Sequence, residues 1–491
     1  MAATMVDRYS GFDTMPIAGE WRGGTSGKTR ADTDPYTGDV LTEIPQAGKD
    51  DLDRAYRAAE RAQPGWAARP AAERAAVIAR AAEILAARRE ELADWLRREA
   101  GATRGRAAME LELAGAVTAL AARQADRTEG WTRTGSDLPG KENRVYRRPA
   151  GVVAVISPWN FPVQLSNRSV APALALGNAV VLKPAGDTPV TGGLFLAKVY
   201  EEAGLPPGLL SVVIGGGGEI GDAMVAHPVP RVVSFTGSTP VGKGIAARAG
   251  LKRLALELGG NGPLVVLDDA DPDRAVDAAL FGSYLHQGQV CMATNRVIVD
   301  AALYDAFVKR FTAAAAGLRD GDPADPETRI GPLINSGQLE SVREKIGRAV
   351  AEGAELVLGG EPTGPTGQVL PPHVLLGDNT VATAAEEVFG PVATLIRAAD
   401  EEEALRIAND TEYGLSSAVC TRDEERGLRF AHRVRAGMTH LNDTTVHDDA
   451  HIAFGGEKDS GIGRFGGDWV VDEFTTHHWV SIQHGPREYP Y

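Results

Sequence analysis

After Pro70, apolar residues at Val77, Ile78, Ala81, Ile84, Leu85, Leu92, Trp95 and Leu96 recur at helical spacing until Gly101 ends the run. The Arg and Glu residues between them read as a solvated face, and the helix as scaffold. From Gly151 the pattern changes to short, nearly continuous apolar runs at Val152 to Ile156, Ala179 to Leu182, Leu210 to Ile214, Val232 to Phe235 and Leu254 to Glu257. Runs of this length predict strands buried on both faces, and segments such as Val190 to Ala203 are long enough for crossover helices. The alternation predicts an open parallel α/β sheet.

Polar chemistry gathers where these strands end. Ser157-Pro-Trp-Asn160 follows the first, Lys183-Pro184 the second, Thr236-Gly-Ser238 the fourth and Glu257-Leu-Gly-Gly260 the last. Ligands of open α/β sheets bind outside the carboxyl ends of the strands, so these groups should converge on one crevice, with a nucleotide as the expected occupant. Gly216-Gly-Gly218-Glu-Ile-Gly221 formally matches a dinucleotide fingerprint. It is discounted: about 20 residues on, near Ser238, no Asp or Glu stands ready to hold a ribose, and tight backbone geometry is use enough for the glycines. Phe235-Thr-Gly237-Ser-Thr-Pro-Val-Gly242 is the better phosphate-side candidate, because its glycines lie at a strand-to-helix turn where free amides face an anion.

Composition narrows the class. A chain of 491 residues is too long for one core, so two or three domains are expected. The net charge of −15, with no Lys/Arg run interleaved with aromatics, argues against nucleic acid. No apolar run reaches membrane-spanning length, and the N-terminus lacks a basic-then-apolar signal pattern, so a cytoplasmic location is expected. Two cysteines do not make a disulfide framework and fit a reducing compartment, and no Cys/His cluster has zinc-like spacing, so no metal is expected.

Of those two cysteines, Cys291 stands out. It lies in His286-Gln-Gly-Gln-Val-Cys-Met292, downstream of Glu257, and the two residues look like a thiol nucleophile and its base. A thiol of ordinary pKa about 8.5 is mostly protonated at neutral pH and needs a polarised setting to attack a carbonyl carbon. The small and polar residues Gly288, Gln289, Ala293 and Thr294 suit a substrate site better than a packed interior. Cys420, in Ser-Ala-Val-Cys-Thr, fits the ordinary role of a small buried hydrophobe.

Taken together, these motifs resemble the NAD(P)-dependent aldehyde dehydrogenases over nearly the whole chain. The resemblance is carried by Ala18-Gly-Glu-Trp21, Asp34-Pro-Tyr-Thr-Gly38, Ser157-Pro-Trp-Asn-Phe-Pro162, Val181-Leu-Lys-Pro184, Phe235-Thr-Gly-Ser238, Glu257-Leu-Gly-Gly260, Gly288-Gln-Val-Cys291, Glu386-Glu-Val-Phe-Gly-Pro391 and Phe454-Gly-Gly456. It implies that Cys291 attacks the aldehyde, that Glu257 activates the water that hydrolyses the thioacyl enzyme, and that Asn160 with the Cys291 backbone amide holds the oxyanion. For the cofactor it implies Lys183 on the adenosine ribose, Gly237, Ser238 and Gly242 on the pyrophosphate side, and Ser157 as a further contact. Glu387 would hold the nicotinamide ribose with Phe389 against it, and Trp159 and Leu258 would add backbone or packing contacts. Many NAD-preferring relatives carry a glutamate three positions after that lysine; this chain has Gly186, followed by Asp187. NAD⁺ is the expected cofactor and NADP⁺ stays admissible.

Three segments are similar to the benzaldehyde and vanillin dehydrogenase branch: His286 to Asn295, Gln164 to Ala173 and Phe454 to Trp469. The resemblance therefore implies an aromatic aldehyde, with Phe161, Gln164, Leu165, Arg168, Leu285, Val290, Met292 and Phe454 along the substrate passage. An aliphatic or amino aldehyde is the alternative substrate, and a cofactor-independent thiol esterase the alternative activity. The implied layout is a cofactor domain from residues 1–127 and 150–258, a catalytic domain from 259–465, and a β oligomerisation arm from 128–149 and 466–491. A homodimer or homotetramer is expected, with the alternating stretch Glu142-Asn-Arg-Val-Tyr-Arg-Arg-Pro149 as an extended edge that pairs with another subunit.

Overall fold

The computed structural model describes residues 7–490. The scaffold helix expected after Pro70 is two helices. With the helices flanking them in sequence they form the series α1 (Lys49–Ala67), α2 (Ala71–Ala87), α3 (Arg89–Ala100) and α4 (Arg104–Arg123). The break falls at Arg88, whose φ of −100° and ψ of 17° leave the helical region. Its guanidinium is tied to Glu91 at 3.1 Å, Glu202 at 2.9 Å and the Asp7 carbonyl at 2.9 Å, and it lies over the Tyr9 ring. These are tertiary partners, so apolar periodicity alone could not place the break.

Five parallel strands, Val152–Ile156, Ala179–Lys183, Leu210–Val212, Val232–Thr236 and Arg253–Glu257, form the predicted open sheet. Across the sheet the order is Gly461–Ile462, Arg253–Glu257, Val232–Thr236, Val152–Ile156, Ala179–Lys183, Leu210–Val212. The chain leaves the middle strand toward one edge and returns to build the other, which opens a crevice between the ends of Val152–Ile156 and Val232–Thr236. The pair Gly461–Ile462 adds an antiparallel edge from far along the chain, opposite Leu256 and Glu257. The expected crossover at 190 to 203 is a π-helical turn, Val190–Leu194, running into the helix Phe195–Glu202. One large core unites this sheet with α1 to α4.

After Glu257 the chain crosses at once into a second sheet. Its order is Glu355–Leu358, His373–Leu376, Val392–Ala398, Thr294–Asp300, Gly262–Val266, Ser416–Cys420, Met438–Leu441, parallel except for the first strand. Separate cores cover its two faces. A smaller cluster, including Val290, Met292, Leu415, Phe454 and Phe465, packs with Phe161 and Leu285 around Cys291.

The third sheet is ordered Thr475–Gln483, Lys141–Pro149, Thr132–Thr134. Lys141–Pro149 contains the alternating stretch, but it is the central strand. Both of its edges pair with this chain's own residues, and the open edges belong to Thr475–Gln483 and Thr132–Thr134. Val470, Val471 and Phe474 pack into the large core, so the sheet strand begins only at Thr475. Among the described residues no helix is long and apolar enough to cross a membrane, and no group of three or more His, Cys, Asp or Glu residues is placed to hold a metal ion.

Candidate active site

Cys291 sits just ahead of the strand Thr294–Asp300, on a loop held in an unusual backbone shape. His286, Gln287 and Gly288 all have positive φ, at 50°, 56° and 68°. For the two non-glycine residues this costs on the order of 1–2 kcal/mol each. The loop is tied down in return: Gln287 Nε2 donates to the Pro332 carbonyl at 2.8 Å, and Gln289 Oε1 accepts from the Ile334 amide at 3.0 Å. At Gly288 a Cβ would stand 2.0 Å from the Gly390 carbonyl oxygen, so only glycine fits. Gly260 allows a similar approach on the other side, since a Cβ there would stand 2.1 Å from the carbonyl oxygen of Cys291. The turn after Glu257 therefore lies directly against the cysteine loop.

Glu257 is fully buried at the end of its strand. Burial raises its pKa, opposed by the charge of Arg168 and by hydrogen bonding with the Cys291 thiol. Burial also pushes the Cys291 thiol up, and the neighbouring Glu257 carboxylate adds to the rise. The resting pair is thus a protonated thiol beside a buried acid. Asn160 follows the strand Val152–Ile156, and one N–H of its amide donates to the Gln289 carbonyl at 3.0 Å. An amide nitrogen has two N–H groups, so the second is available to a ligand.

A buried ion pair from α4 holds the Asn160 turn. Arg106 and Glu110, one helical turn apart with a 2.6 Å contact, are both fully buried. Arg106 donates to the Asn160 carbonyl and lies 4.3 Å over the Phe161 ring. Glu110 Oε1 accepts from the Val163 and Gln164 amides at 2.8 and 3.1 Å. Those are free donors in the first turn of α5 (Pro162–Ala175), where a carboxylate is favoured.

Two cavities meet at Cys291, Asn160 and Leu165. The first, of about 380 Å³, is walled by Phe161, Gln164, Leu165, Leu285, Val290, Met292 and Phe454. The second, of about 240 Å³, is walled by Trp159, Gly237, Ser238, Leu258, Glu387 and Phe389, with Glu257 at the junction side. In the second, Glu387 Oε1 accepts from the Gly260 amide at 2.9 Å, and burial lifts its pKa to about 7.

Four of the expected residues stand off these walls. Arg168 lies behind the site: Nη2 donates to Thr236 Oγ1 at 2.7 Å and to Glu257 Oε2 at 3.0 Å, and the guanidinium packs over Phe454 and Phe465. Gly242 is packed under Leu258, where a Cβ would come within 2.2 Å of Leu258 Cδ2. Ser157 is buried with its hydroxyl 2.6 Å from that of Ser166. Lys183 is buried at its strand end, its pKa drawn down to about 8 by burial and by Arg30, with Asp187 opposing.

The ground around Gly186 is occupied by Arg30. Arg30 Nε donates to the Gly186 carbonyl at 2.5 Å, its Nη2 pairs with Asp187 at 3.0 Å, and a Cβ on Gly186 would stand 2.6 Å from the guanidinium. Asp187 is therefore paired and supplies no free negative charge there.

The walls also contain residues that strand-end reasoning passed over. From α4 come Met109, Leu113 and Ala116; from a loop without periodicity come Val446, Asp448 and Asp449; from the helix Ser336–Ala351 on the nucleotide side come Gln338 and Lys345. An Arg and a Glu four apart in the otherwise Ala- and Leu-rich run of α4 were the available signal for a functional helix.

The Aldehyde dehydrogenase family profile matches residues 21–480. The chain belongs to the aldehyde dehydrogenase family. It is 49% identical over 486 residues to a vanillin dehydrogenase of Corynebacterium glutamicum, covering 98% of this chain and 100% of that one. It is 46% identical to a benzaldehyde dehydrogenase of Bacillus subtilis, covering 99% and 100%. Among solved structures, that of an NAD-dependent benzaldehyde dehydrogenase from Corynebacterium glutamicum superposes with a TM-score of 0.89 at 46% identity, covering 98% of each chain. The expected α/β fold and family are thereby established for this aldehyde dehydrogenase.

The second cavity fits the nucleotide cofactor such enzymes use. Its floor is backbone at Gly237 and Gly259, and a Cβ on Gly259 would stand 2.7 Å from Glu387 Oε2. Ser238 stands at the start of the helix Thr239–Arg248 without spending its side chain on a cap, so that helix's first amides face an incoming anion.

Proposed function

We propose that this enzyme oxidises an aromatic aldehyde of the benzaldehyde or vanillin type to the carboxylic acid, with NAD⁺ as cofactor and NADP⁺ also accepted. The observation that carries the reading is the position of Cys291 at the meeting point of two cavities, one walled by flat and apolar side chains, the other by glycine backbone and Glu387. The aromatic substrate and NAD⁺ are supported by the named relatives. NADP⁺ is supported by Arg30, which stands where an acid at position 186 would repel a 2′-phosphate.

In this mechanism the Cys291 thiol gives its proton to Glu257 and its sulfur attacks the aldehyde carbon. The second Asn160 N–H and the Cys291 amide hold the resulting oxyanion. When bound, the nicotinamide supplies the two-electron acceptor that takes the substrate's hydride. A thioacyl group then remains on Cys291. Glu257 passes the thiol's proton to solvent and then takes a proton from water as that water attacks the thioacyl carbon; collapse breaks the C–S bond and releases the carboxylic acid, and the Cys291 thiolate regains a proton from Glu257. A cofactor-independent esterase has no use for the second cavity.

The layout follows from the same reading: the N-terminal helices with residues 150–258 form the cofactor domain, 259–465 supply the catalytic cysteine and Glu387, and 128–149 with 475–490 form an arm for a homodimer or homotetramer, shorter than expected because Val470, Val471 and Phe474 pack into the large core. The open strand Thr475–Gln483 and exposed Trp479 and Trp131 support such pairing. A cytoplasmic site of action keeps a free catalytic thiol reduced.

The test is absorbance at 340 nm with NAD⁺ and, separately, NADP⁺ against benzaldehyde, vanillin, hexanal and betaine aldehyde. Reduction with the aromatic members is expected. Reduction with only hexanal or betaine aldehyde would keep the chemistry and remove the aromatic assignment, and silence throughout would remove both.

A further inference from the structure

We propose that the substrate passage selects by charge, with Asp448 as the specificity-determining residue: it admits uncharged aldehydes and turns away those carrying a carboxylate. The inference rests on the aldehyde-oxidation reading and adds to it which aldehydes are excluded.

The charged groups on the first cavity's wall are Glu110, Glu112, Asp448 and Asp449, and neither Lys nor Arg lies among the residues described there. His451 is present and is a cation only when protonated. Two guanidinium groups lie close by, and both are already engaged. Arg106 is fully buried against Glu110, so that pair is neutral within itself. Burial raises the pKa of Asp448, and Arg168, which also holds Glu257 at 3.0 Å, opposes that rise, so one guanidinium serves two carboxyl groups. Glu112 and Asp449 are exposed at the mouth with no cation on the same wall.

A carboxylate that entered this passage would shed its own hydration and face Asp448 across a partly dry space, whereas an uncharged aldehyde carries no such cost.

The experiment compares kcat/KM for benzaldehyde and 4-carboxybenzaldehyde, followed at 340 nm with NAD⁺ at low and high salt. Reading the ratio of the two aldehydes within each protein removes any general effect of a substitution on turnover. The wild-type ratio is expected to favour benzaldehyde by about a hundredfold, chiefly through KM, and to shrink as salt screens the mouth carboxylates. Asp448→Asn should narrow the ratio about tenfold, and Asp449→Asn, at the exposed mouth, should narrow it less. Use of 4-carboxybenzaldehyde within about threefold of benzaldehyde by the wild type would overturn the proposal. So would a ratio unmoved in Asp448→Asn, or, if that variant does not fold, a ratio unmoved in Asp449→Asn and by salt. No turnover of either aldehyde with either cofactor would overturn the aldehyde-oxidation reading and this inference with it.

Discussion

Replacing Arg168 with Gln should move the acid limb of the pH–rate profile toward alkaline pH. The Arg168 and Glu257 side chains are 4% and 0% exposed and 3.0 Å apart, so the pair is screened by little water. Two unit charges about 4 Å apart attract by about 4 kcal/mol at an effective dielectric of about 20. Converted at about 1.4 kcal/mol per pH unit, that is an upper bound of about three units on the rise in the Glu257 pKa. Residual water and local relaxation reduce it, so a shift of about one to three units is expected. Burial already raises Glu257, and losing the guanidinium raises it further, leaving less carboxylate to act as base at a given pH.

The assay is rapid mixing of enzyme, NAD⁺ and benzaldehyde between about pH 5 and pH 10. The fast rise at 340 nm reports acylation, and the slower steady phase reports hydrolysis of the thioacyl enzyme. The steady phase of Arg168→Gln should slow most at low pH and recover as pH rises. Stability should change in the opposite sense. A carboxyl whose folded pKa lies above its unfolded value favours the folded state at low pH, and that advantage is lost as pH rises through the folded pKa. The Tm of the variant should therefore fall more steeply with pH than that of the wild type. An acid limb unmoved in Arg168→Gln would refute the pairing as the control on Glu257.

Cys291→Ala should abolish oxidation while leaving NAD⁺ affinity, measured by fluorescence quenching, intact; retained turnover would remove Cys291 as nucleophile. Asn160→Ala should lower kcat by about 10²–10³, the cost of one oxyanion donor, and an unchanged kcat would contradict that role. Glu257→Gln should let a thioacyl adduct build up on Cys291, seen by intact mass after adding aldehyde and NAD⁺. Steady turnover without the adduct would mean that another group is the base.

Much of this protein was legible because its signals are local. Each parallel strand is a short apolar run, and the candidate residues Asn160, Ser238 and Glu257 follow directly where those runs stop. Helix boundaries were less legible. The expected single helix divides at Arg88 because Glu202 and Asp7 hold that residue, and neither is near it in sequence. The arm shows the same limit: Glu142 to Pro149 reads as an extended edge, yet Thr475–Gln483 closes one side of it, more than 300 residues away.

The sequence by itself determined the family and the open parallel sheet, and it singled out Cys291, Glu257 and Asn160 as the expected nucleophile, base and oxyanion donor, because the family and these residues are written as contiguous motifs. Tertiary structure alone decided what stands around them. It placed Arg168 behind Glu257, 89 residues along the chain, and brought α4 beneath Asn160 with the Arg106–Glu110 pair. It filled the ground beside Gly186 with Arg30 and set Asp448 on the substrate wall. Side-chain type is a property of the chain, but a charge acquires its partner, and a buried acid its pKa, only when distant segments pack together and exclude water.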